Sequence, residues 1–405
     1  MHTRRRVFVT PLSAERLAAA KRSFSVRRLP MDAGSTLLSG SLRPQPGDAV
    51  LARVERVGNH RHIEQPHGRR AALRVGDEIL VAYANRYATD QYESEVPTTL
   101  GPCQLVASGG IASQVITRSR DVRTATDITP IGLLGDERGR PINVRDFALP
   151  SIDEPASRPK TFAVLGTSMN SGKTTTIKQL VQGFAQAGYK VGATKVTGTG
   201  SGGDYWCMLD AGAHRMLDFT DGGMASTYLA DIQDIEVMMR QLVAHLTTSG
   251  TDINLVEIAD GVFQLETAQI IASAVFSELV DGVIFAAGDA MGAAMGVETL
   301  RARGHEVLAV SGRLTRAPLA AREAELATGL PVLTLADLVD APAMASLLGL
   351  PEPAEPAEAV QGEPVRWGVS LPGLMAIDPG VAHHRDGSIN EDLAEAEVAP
   401  VSVDW

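Results

Sequence analysis

The sequence predicts an α/β protein in two parts: a β-rich N-terminal domain, followed by a doubly wound, mostly parallel sheet. From residue 161 onward, short apolar runs alternate with helical stretches, which is the pattern of βαβ units. Earlier in the chain, Gly, Pro, Asn and Asp separate the apolar runs instead. The proline-bearing stretch 150–159 marks the change. We therefore expect domains at 1–155 and 156–350, followed by a Pro/Glu-rich linker and a weakly patterned tail at 351–405.

The N-terminal part is expected to form a β-barrel or a β-sandwich. Its apolar runs have the length of strands, and one helical stretch at 14–22 precedes them. The clearest strands are expected at 49–57, 71–75, 78–84 and 104–107.

The second part is expected to hold six strands with helices between them, which is enough for a complete doubly wound domain. The strands are expected at 161–166, 190–195, 253–259, 282–287, 306–310 and 331–333. The helices are expected at 172–187, 232–248, 267–278, 292–303, 318–328 and 336–348. Open sheets of this kind bind ligands at the carboxyl ends of their strands, so the residues that follow each strand are site candidates.

The composition excludes several classes of protein. Of the 405 residues, 44% are hydrophobic and 21% are charged, which excludes a chain disordered throughout. The net charge of −11 argues against nucleic-acid binding and favours small-molecule chemistry. Acidic residues interrupt the most apolar stretch, 270–297, so no membrane span is expected. The two cysteines, Cys103 and Cys207, are too few for a disulfide scaffold. We expect a reducing, cytoplasmic setting, with Cys207 a half-buried neutral thiol.

A glycine-bearing loop between the first strand and the first helix of the second part predicts phosphate binding. Backbone N–H groups at a helix start, a lysine, and a hydroxyl that can reach Mg²⁺ together suit the phosphate chain of a nucleotide. The candidate cofactor-binding residues are Gly166, Thr167, Ser168, Met169, Asn170, Ser171, Gly172, Lys173, Thr174 and Thr175. The strict pattern has glycine where Thr167 stands, and a plain glycine turn is the alternative interpretation. We expect a P-loop sheet that binds a nucleotide.

This loop resembles that of dethiobiotin synthetase and of the ATPase domains of cobyrinic and cobyric acid synthases, which also carry threonine at the position of Thr167. Those families belong to the SIMIBI class of P-loop NTPases, which includes the partitioning ATPases MinD and ParA. The partitioning ATPases place a second lysine five residues before the loop lysine, where this chain has Ser168. The resemblance therefore favours the synthetase type over a dimer-switching ATPase.

The resemblance covers residues 161–340 and continues past the loop. In dethiobiotin synthetase the second strand ends in a lysine beside the substrate, and a Ser/Gly-rich loop and an aspartate that binds Mg²⁺ follow it. Lys195 and Asp204 stand at the matching positions of this sequence. The family also carries a glutamate at the tip of a later strand, to which Glu257 corresponds.

The chain departs from the family beside these residues. Val196 stands where the family has the proline after its lysine, and Ile258 and Asp260 replace glycines that follow its glutamate. The N-terminal part has no counterpart in the family. We therefore expect a rebuilt substrate pocket rather than dethiobiotin synthetase itself.

The resemblance implies an enzyme that uses ATP and Mg²⁺ to activate a small carboxylate or carbamate and join it to nitrogen. The implied catalytic residues are Lys173, Lys195 and Glu257, and the implied Mg²⁺ ligands are Thr174, Asp204 and Glu257. ATP is expected rather than GTP because the guanine-reading Asn-Lys-x-Asp pattern is absent from the sequence. The expected partners are a small carboxylate or amine substrate and a second copy of the chain in a homodimer.

Each residue outside the loop also has a plainer interpretation. Lys195 can end a strand at the surface, and Asp204 can cap the helix that follows. Asp260 and Gly261 can form only a turn. Glu257 is harder to explain without a metal or a partner, because an unpaired buried carboxylate is costly.

Two further polar segments are candidates for a site. His60, His62, His67 and Glu64 lie within eight residues and can be metal ligands, but an exposed hairpin explains them better. The loop at 220–227 can hold substrate or be a simple turn.

Two other functions stay open. A nucleotide-switch protein, such as a metallochaperone or a regulator, would use hydrolysis to change its affinity for a protein partner. A small-molecule kinase would release a phosphorylated product without ligation. Product analysis distinguishes these two functions from a ligase.

Overall fold

A computed structural model describes residues 6–351 of the chain. The short helix α1 (Ala14–Ala19) lies near the start of the β-rich part. The strands of that part are β1 (Val7–Pro11), β2 (Lys21–Arg22), β3 (Thr36–Gly40), β4 (Ala49–Arg56), β5 (His62–Glu64), β6 (Arg70–Ala72), β7 (Glu78–Tyr83), β8 (Tyr92–Glu95), β9 (Cys103–Ala107), β10 (Ile111–Arg118) and β11 (Thr126–Gly135). Short 3-10 helices lie at Phe24–Val26 and Val144–Phe147.

Five of these strands close into a barrel. Strand β4 pairs with β7 and β11, β7 pairs with β10, and β9 joins β10 to β11. Along β4, Val50 and Ala52 face one hydrophobic core, and Ala49 and Leu51 face another, as the alternation of side chains on a strand requires. Of the two forms that the sequence allows, the structure contains the barrel.

The second sheet is parallel and has six strands, in the order β14-β13-β15-β12-β16-β17. Its strands are β12 (Lys160–Gly166), β13 (Val191–Lys195), β14 (Arg215–Asp218), β15 (Ile253–Glu257), β16 (Gly282–Ala286) and β17 (Val307–Ser311). The helices are α2 (Lys173–Gln186), α3 (Gly202–Asp210), α4 (Ile232–Thr248), α5 (Leu265–Ile270), α6 (Ala274–Leu279), α7 (Ala290–Arg301), α8 (Pro318–Thr328), α9 (Leu335–Val339) and α10 (Ala341–Leu348), with a 3-10 helix at Arg313–Arg316.

Helices cover both faces of this sheet, as the sequence predicts for a doubly wound fold. Ala163 and Leu165 of β12 belong to a core shared with α4 and α7, whereas Phe162 and Val164 of the same strand pack with α2 and α10. Both sheets lie in one compact unit. The domain boundary near residue 155 stays a prediction, and the linker and tail lie outside the described residues except for Pro351.

The strands of the parallel sheet differ from expectation at both edges. Residues 331–333 form only a single bridge between Val332 and Val310, because Pro331 has no N–H to donate to a ladder. The sixth strand is instead β14 at the opposite edge. Its four residues are too few to show a periodic pattern in the sequence.

Two expected helices are broken, and others have different limits. The helix expected at 267–278 is divided between α5 and α6 because the side chain of Ser273 caps the second piece. The helix expected at 336–348 is divided at Asp340, which caps α10 just before Pro342. The helix expected at 14–22 ends at Ala19, and α3, which the sequence predicts only as a helix that Asp204 caps, begins earlier, at Gly202.

No helix within residues 6–351 is long and apolar enough to cross a lipid bilayer.

Candidate functional site

The phosphate loop turns from β12 into α2 and requires a glycine at each end. Gly172 precedes α2 with a φ of 107°, in the left-handed region, and a Cβ there would lie 2.9 Å from Cα of Gly312. At Gly166, a Cβ would lie 2.4 Å from Oγ of Ser171 and 2.7 Å from the carbonyl oxygen of Ala286. A side chain at either position would therefore distort the loop.

Thr167, which stands where the strict pattern has glycine, is compatible with this loop. The left-handed position is occupied by Asn170, with a φ of 60°, and not by Thr167. Room for Thr167 comes from two glycines outside the loop. A Cβ on Gly261 would lie 2.2 Å from the Thr167 carbonyl oxygen, and one on Gly292 would lie 2.9 Å from its Cγ2. Only the Gly292 contact involves the threonine side chain, so the departure from the strict pattern adds a need for glycine at Gly292, whereas Gly261 would be needed beside the backbone of any residue at position 167.

The loop lysine is buried and crosses the loop. The Nζ atom of Lys173 donates hydrogen bonds to the carbonyl oxygens of Ser168, at 2.8 Å, and of Asp260, at 2.7 Å. Burial lowers the pKa of Lys173 to about 8, although the charge of Glu257 counteracts this effect. An anionic phosphate would be a stronger partner than two carbonyl oxygens, and this ammonium is in place to receive it.

Five residues proposed from the sequence meet at the loop. Lys195 and Glu257 lie opposite each other in register at the ends of β13 and β15, and Asp204 lies in the first turn of α3. The Lys195 ammonium forms ion pairs with Asp204 and with Oε1 of Glu257, the latter at 3.3 Å. Thr174 donates a hydrogen bond to the same Oε1 at 3.1 Å. Lys173 completes the group from the other side of the loop.

Burial and ion pairing compete within this cluster. Burial raises the pKa of Glu257, which is 2% exposed. Burial acts in the same direction on Asp204, but the charge and hydrogen bond of Lys195, with Thr174 and Lys173, together outweigh it, so the pKa of Asp204 is lowered. Burial acts to lower the pKa of Lys195, but Asp204 and Glu257 outweigh it, so that pKa is raised. A lysine held in its charged form therefore lies between two acidic side chains.

The oxygen atoms of this cluster fit Mg²⁺. This ion prefers hard oxygen ligands, and it usually takes one or two carboxylates and completes its shell with water and phosphate oxygens. Thr174, Asp204 and Glu257 offer a hydroxyl and two carboxylates. The Oε2 atom of Glu257 is buried and has no hydrogen-bond partner among residues 6–351. In that part of the chain no three His, Cys, Asp or Glu side chains are grouped to hold a metal alone. The arrangement suits an ion that shares its ligands with a nucleotide.

A cavity of about 700 Å³ extends from the phosphate loop to the β-rich part. On the loop side it is lined by Met169, Asn170, Gly172, Lys173, Thr174, Thr175, Lys195, Asp204, Glu257, Asp260, Arg313 and Arg316, among others. The opposite wall consists of His60, Arg86, Tyr87, Ala88, Gln91, Ala107 and Ser108. Asn170 of the loop also donates a hydrogen bond to Oδ2 of Asp90, at 2.9 Å, so the two parts meet at the loop itself.

A sequence profile described as MobB, molybdopterin guanine dinucleotide synthesis protein B, matches residues 161–270. That stretch contains the phosphate loop together with Lys195, Asp204 and Glu257. The phosphate loop and the parallel sheet that carries it have the P-loop NTPase fold. The profile covers only part of this fold and does not reach the β-rich part. No curated protein matches the chain significantly in sequence.

Solved structures with local similarity to the chain include two kinds of signal recognition protein. The 54 kDa signal recognition particle protein of Aeropyrum pernix K1, in complex with GDP, is 22% identical over 48% of this chain and 47% of its own, with a TM-score of 0.32. The receptor FtsY of Elizabethkingia anophelis is 14% identical over 46% of this chain and 66% of its own, with a TM-score of 0.32. Its complex with GDP gives 16% identity, 47% and 65% coverage and a TM-score of 0.33. The chain thus spans less than two thirds of each of these proteins.

The structure supports some of the plainer interpretations of the residues near the phosphate loop and contradicts others. The Lys195 side chain is 16% exposed and paired, so it does not end its strand at the surface. Ser201, not Asp204, is the N-cap residue of α3. Asp260 does occupy a left-handed turn position, with a φ of 60°, while its carbonyl oxygen also contacts Lys173. Cys207 is half-buried, and burial raises the pKa of its thiol to about 11, in the direction that the expected neutral thiol requires.

The histidine-bearing segment forms the expected hairpin, β5 and β6, but the hairpin is not simply exposed. Glu64 is 2% exposed and its Oε2 accepts hydrogen bonds from N–H of Gly202, at 2.7 Å, and from Oγ of Ser201, at 3.1 Å. The hairpin therefore docks on the start of α3, the helix that carries Asp204. Its polar residues are not grouped as a metal site in the described chain.

The loop at 220–227 contacts the β-rich part and does not line the cavity. Thr220 and Asp221 are buried and bind the arginines Arg27 and Arg28. Thr227 accepts a hydrogen bond from N–H of Gly198 at 2.9 Å. Residues 223–226 of the loop line a separate, smaller pocket, so the substrate role that the sequence left open stays a prediction.

Sequence analysis missed most of the wall formed by the β-rich part. Arg86 follows the buried strand β7 in an Asn-Arg pair, which is a weak signal because polar residues follow many strands. His60 was selected as a possible metal ligand, whereas it lies on the cavity wall near Arg86. Only the docking of the two parts gives these residues a common site.

His60 is expected to make the protein less stable in mild acid. Burial, with the charge of Arg86, lowers its pKa to about 4, from about 6.5 in an unfolded chain. Between these two pKa values, His60 binds a proton in the unfolded chain but not in the folded protein, so the free energy of unfolding falls as the pH drops from 6.5 toward 4. This residue alone would remove about 2 kcal/mol of the free energy of unfolding between pH 7 and pH 5. Thermal unfolding of His60→Gln at both pH values should show a smaller loss than wild type. The exposed His62, changed to Gln, is the control, and an equal loss in all three proteins would contradict this prediction.

Proposed function

We propose that the protein is a Mg²⁺- and nucleotide-dependent enzyme that phosphorylates a small carboxylate or carbamate and then joins it to nitrogen. The loop, the lysine pair and the Mg²⁺-compatible oxygens support phosphoryl transfer. The observation that carries the proposal is the cavity beyond the loop, because its second wall comes from the β-rich part. A protein that only hydrolyses a nucleotide does not need a cavity with a second wall of this kind.

The residues divide the chemistry among them. An acceptor oxygen attacks the terminal phosphorus, the bond to the bridging oxygen breaks, and the nucleoside diphosphate leaves. Lys173 and Lys195 stabilise the negative charge on the transferred group and on the acceptor. An amine nitrogen then attacks the acyl phosphate, phosphate leaves, and the nitrogen loses a proton. Bound Mg²⁺ would supply charge neutralisation at the phosphates, with Thr174, Asp204 and Glu257 as its protein ligands.

One observation favours the second candidate, a nucleotide switch. The hydrogen bond from Asn170 to Asp90 connects the phosphate loop to the β-rich part, so a change in the loop on hydrolysis can reach that part. The two candidates differ in their products. A switch releases only diphosphate and phosphate, whereas the enzyme also forms an acyl phosphate, an amide or a ureido compound.

The nucleotide is part of the proposal. The missing Asn-Lys-x-Asp pattern supports ATP, whereas the description of the matching profile names a guanine dinucleotide pathway and supports GTP. The test measures diphosphate release from Mg-ATP and from Mg-GTP, with and without a small-metabolite extract, followed by mass spectrometry of the products. Extract-dependent release with a new amide or ureido product supports the proposed ligase, whereas release with only a phosphorylated product supports a small-molecule kinase. Slow release that no metabolite changes overturns the proposed ligase in favour of the switch.

Light scattering of the same sample tests the predicted homodimer.

Glu257→Gln is expected to raise the Mg²⁺ concentration that gives half-maximal turnover by about 10–100-fold. The amide keeps the size of the side chain but gives the ion a neutral ligand in place of a charged one. The measurement is turnover against Mg²⁺ concentration at saturating nucleotide. Glu298→Gln, on an exposed face of α7, is the matched control. Equal Mg²⁺ dependence in Glu257→Gln and wild type would remove Glu257 from the metal site.

A further inference from the structure

The side chain of Arg86 occupies the cavity wall opposite the phosphate loop and is held there rigidly. The residue is 7% exposed. Its backbone N–H donates to the carbonyl oxygen of Ser94 at 2.8 Å, and its carbonyl oxygen accepts from N–H of Ser94 at 3.0 Å. One guanidinium nitrogen, Nη2, donates to Oε1 of Gln91 at 3.0 Å. The position of the guanidinium is therefore fixed by the β-rich part before any ligand arrives.

The rest of this guanidinium is buried without a partner. Its Nε and Nη1 atoms have no hydrogen-bond acceptor among residues 6–351. No carboxylate in that part of the chain forms an ion pair with it. Burial lowers its pKa to about 10, with Tyr92, Asp90 and Asp260 acting in the opposite direction, so the group is charged at neutral pH. A buried charge with two unused donors is costly unless something outside the chain satisfies it.

Another buried arginine shows how this chain satisfies a structural guanidinium. The Arg27 side chain is 10% exposed, and its Nη2 lies 2.6 Å from Oδ2 of Asp221 and 3.2 Å from Oδ1 of Asp218. It also contacts the faces of Phe24 and Tyr205, at 4.2 and 4.9 Å from the ring centroids. Arg86 has a comparable depth but only Gln91 and the ring of Tyr92, at 5.8 Å. The contrast marks Arg86 as a group that is kept for a ligand.

We propose that Arg86 binds an anionic group of the acceptor, so that the substrate carries a carboxylate or phosphate in addition to the group that is phosphorylated. That the anion belongs to an acceptor substrate rests on the proposed function. That Arg86 binds an anion rests on the surroundings of Arg86 itself. Its neighbours on the wall are His60, Gln91 and Ser108, all from the β-rich part. The nucleotide phosphates, by contrast, have the loop N–H groups and Lys173 as donors on the other wall.

Anion binding is tested in the full-length protein with saturating Mg²⁺ and a non-hydrolysable nucleotide analogue. The probes are oxalate, malonate, succinate, glutarate and inorganic phosphate, each compared with chloride at equal ionic strength. A ligand of the folded state raises the Tm in proportion to its occupancy. We expect at least one probe to stabilise the wild type, and Arg86→Gln to weaken its apparent affinity at least tenfold. Arg53→Gln, which changes an exposed charge of the same part, should respond as the wild type does.

Three results would overturn the assignment. The first is that no probe distinguishes Arg86→Gln from the wild type. The second is that Arg86→Gln weakens binding of the nucleotide analogue tenfold while no probe binds, because Arg86 would then contact the nucleotide. The third is a loss of stability in Arg86→Met without ligand. Removing an unpaired buried charge should leave the Tm unchanged or raise it, so a fall would mark Arg86 as structural.

The same experiment separates this inference from the proposed function. Binding of the probes requires no turnover. Anion binding that depends on Arg86, together with no phosphoryl transfer from ATP or GTP to any metabolite, would support the anion site and reject the enzyme. Phosphoryl transfer with an unchanged KM for the acceptor in Arg86→Lys and Arg86→Gln would support the enzyme and reject the role of Arg86.

Discussion

Replacing Lys173 with alanine is expected to lower nucleotide turnover by about 10²–10³-fold. Lys173 is 6% exposed, and its ammonium lies between the carbonyl oxygens of Ser168 and Asp260. A phosphate chain that enters the loop contacts this buried cation. In the alanine variant, a water molecule could fill the space but would not supply the positive charge. The largest effect should appear on the rate, because negative charge on the transferred group grows in the transition state.

The variant is also expected to fold. Burial lowers the pKa of Lys173, which means that the surroundings oppose its charge in the free protein, so its removal relieves a cost. The measurement is diphosphate release under saturating Mg²⁺ and nucleotide, with thermal unfolding as the check on folding. Lys190→Ala is the control, because Lys190 is exposed at the start of β13, at the end of the sheet away from the loop. Turnover within threefold of wild type in a folded Lys173→Ala would exclude the loop as the site of phosphoryl transfer.

The parallel sheet was largely predictable, because its signals are local. Strand β12 and helix α2 flank a glycine-bearing loop, and α4 and α8 have the limits that their patterns predict. The errors fall where a short-range feature overrides the pattern. Ser273 and Asp340 start new helices within apolar stretches that read as single helices. Strand β14 has four residues and gains its place only by pairing with β13.

The candidate site divides in the same way. Lys173, Lys195 and Glu257 follow or end strands, so the rule that ligands bind at the carboxyl ends of strands brings them together without a structure. Arg86 could not be found by that rule. It reaches the cavity because a barrel from a separate stretch of sequence packs against the parallel sheet, and no spacing in the sequence encodes that docking. Glu64, which fixes the start of α3, was hidden for the same reason.

Replacing Arg27 with methionine is expected to lower the free energy of unfolding by about 3–5 kcal/mol. The side chain joins the β-rich part to the end of β14, where Asp218 is 3% and Asp221 is 4% exposed. Methionine fills much of the volume but leaves both carboxylates without their main partner, and Arg28 contacts only Asp221, at 3.4 Å. The cost is that of two buried carboxylates that lose their shared cation and keep only hydrogen bonds from Thr220 and from the Asp218 N–H, with Arg28 near Asp221.

Chemical unfolding followed by the fluorescence of tryptophan measures this loss, and two further variants show its cause. Arg16→Met breaks an ion pair with Glu78 in which the arginine side chain is 44% exposed, so it should cost about 1 kcal/mol or less. Adding Asp218→Asn and Asp221→Asn to Arg27→Met should restore much of the stability, because the charges that lack a partner are then gone. If the triple variant is less stable than Arg27→Met alone, the remaining hydrogen bonds of the carboxylates outweigh the loss of the cation, and the ion pairs do not hold the two parts together. If the triple variant is more stable than Arg27→Met, Arg27 is required to neutralise Asp218 and Asp221. Arg86, by contrast, is proposed to neutralise an anion that belongs to a ligand.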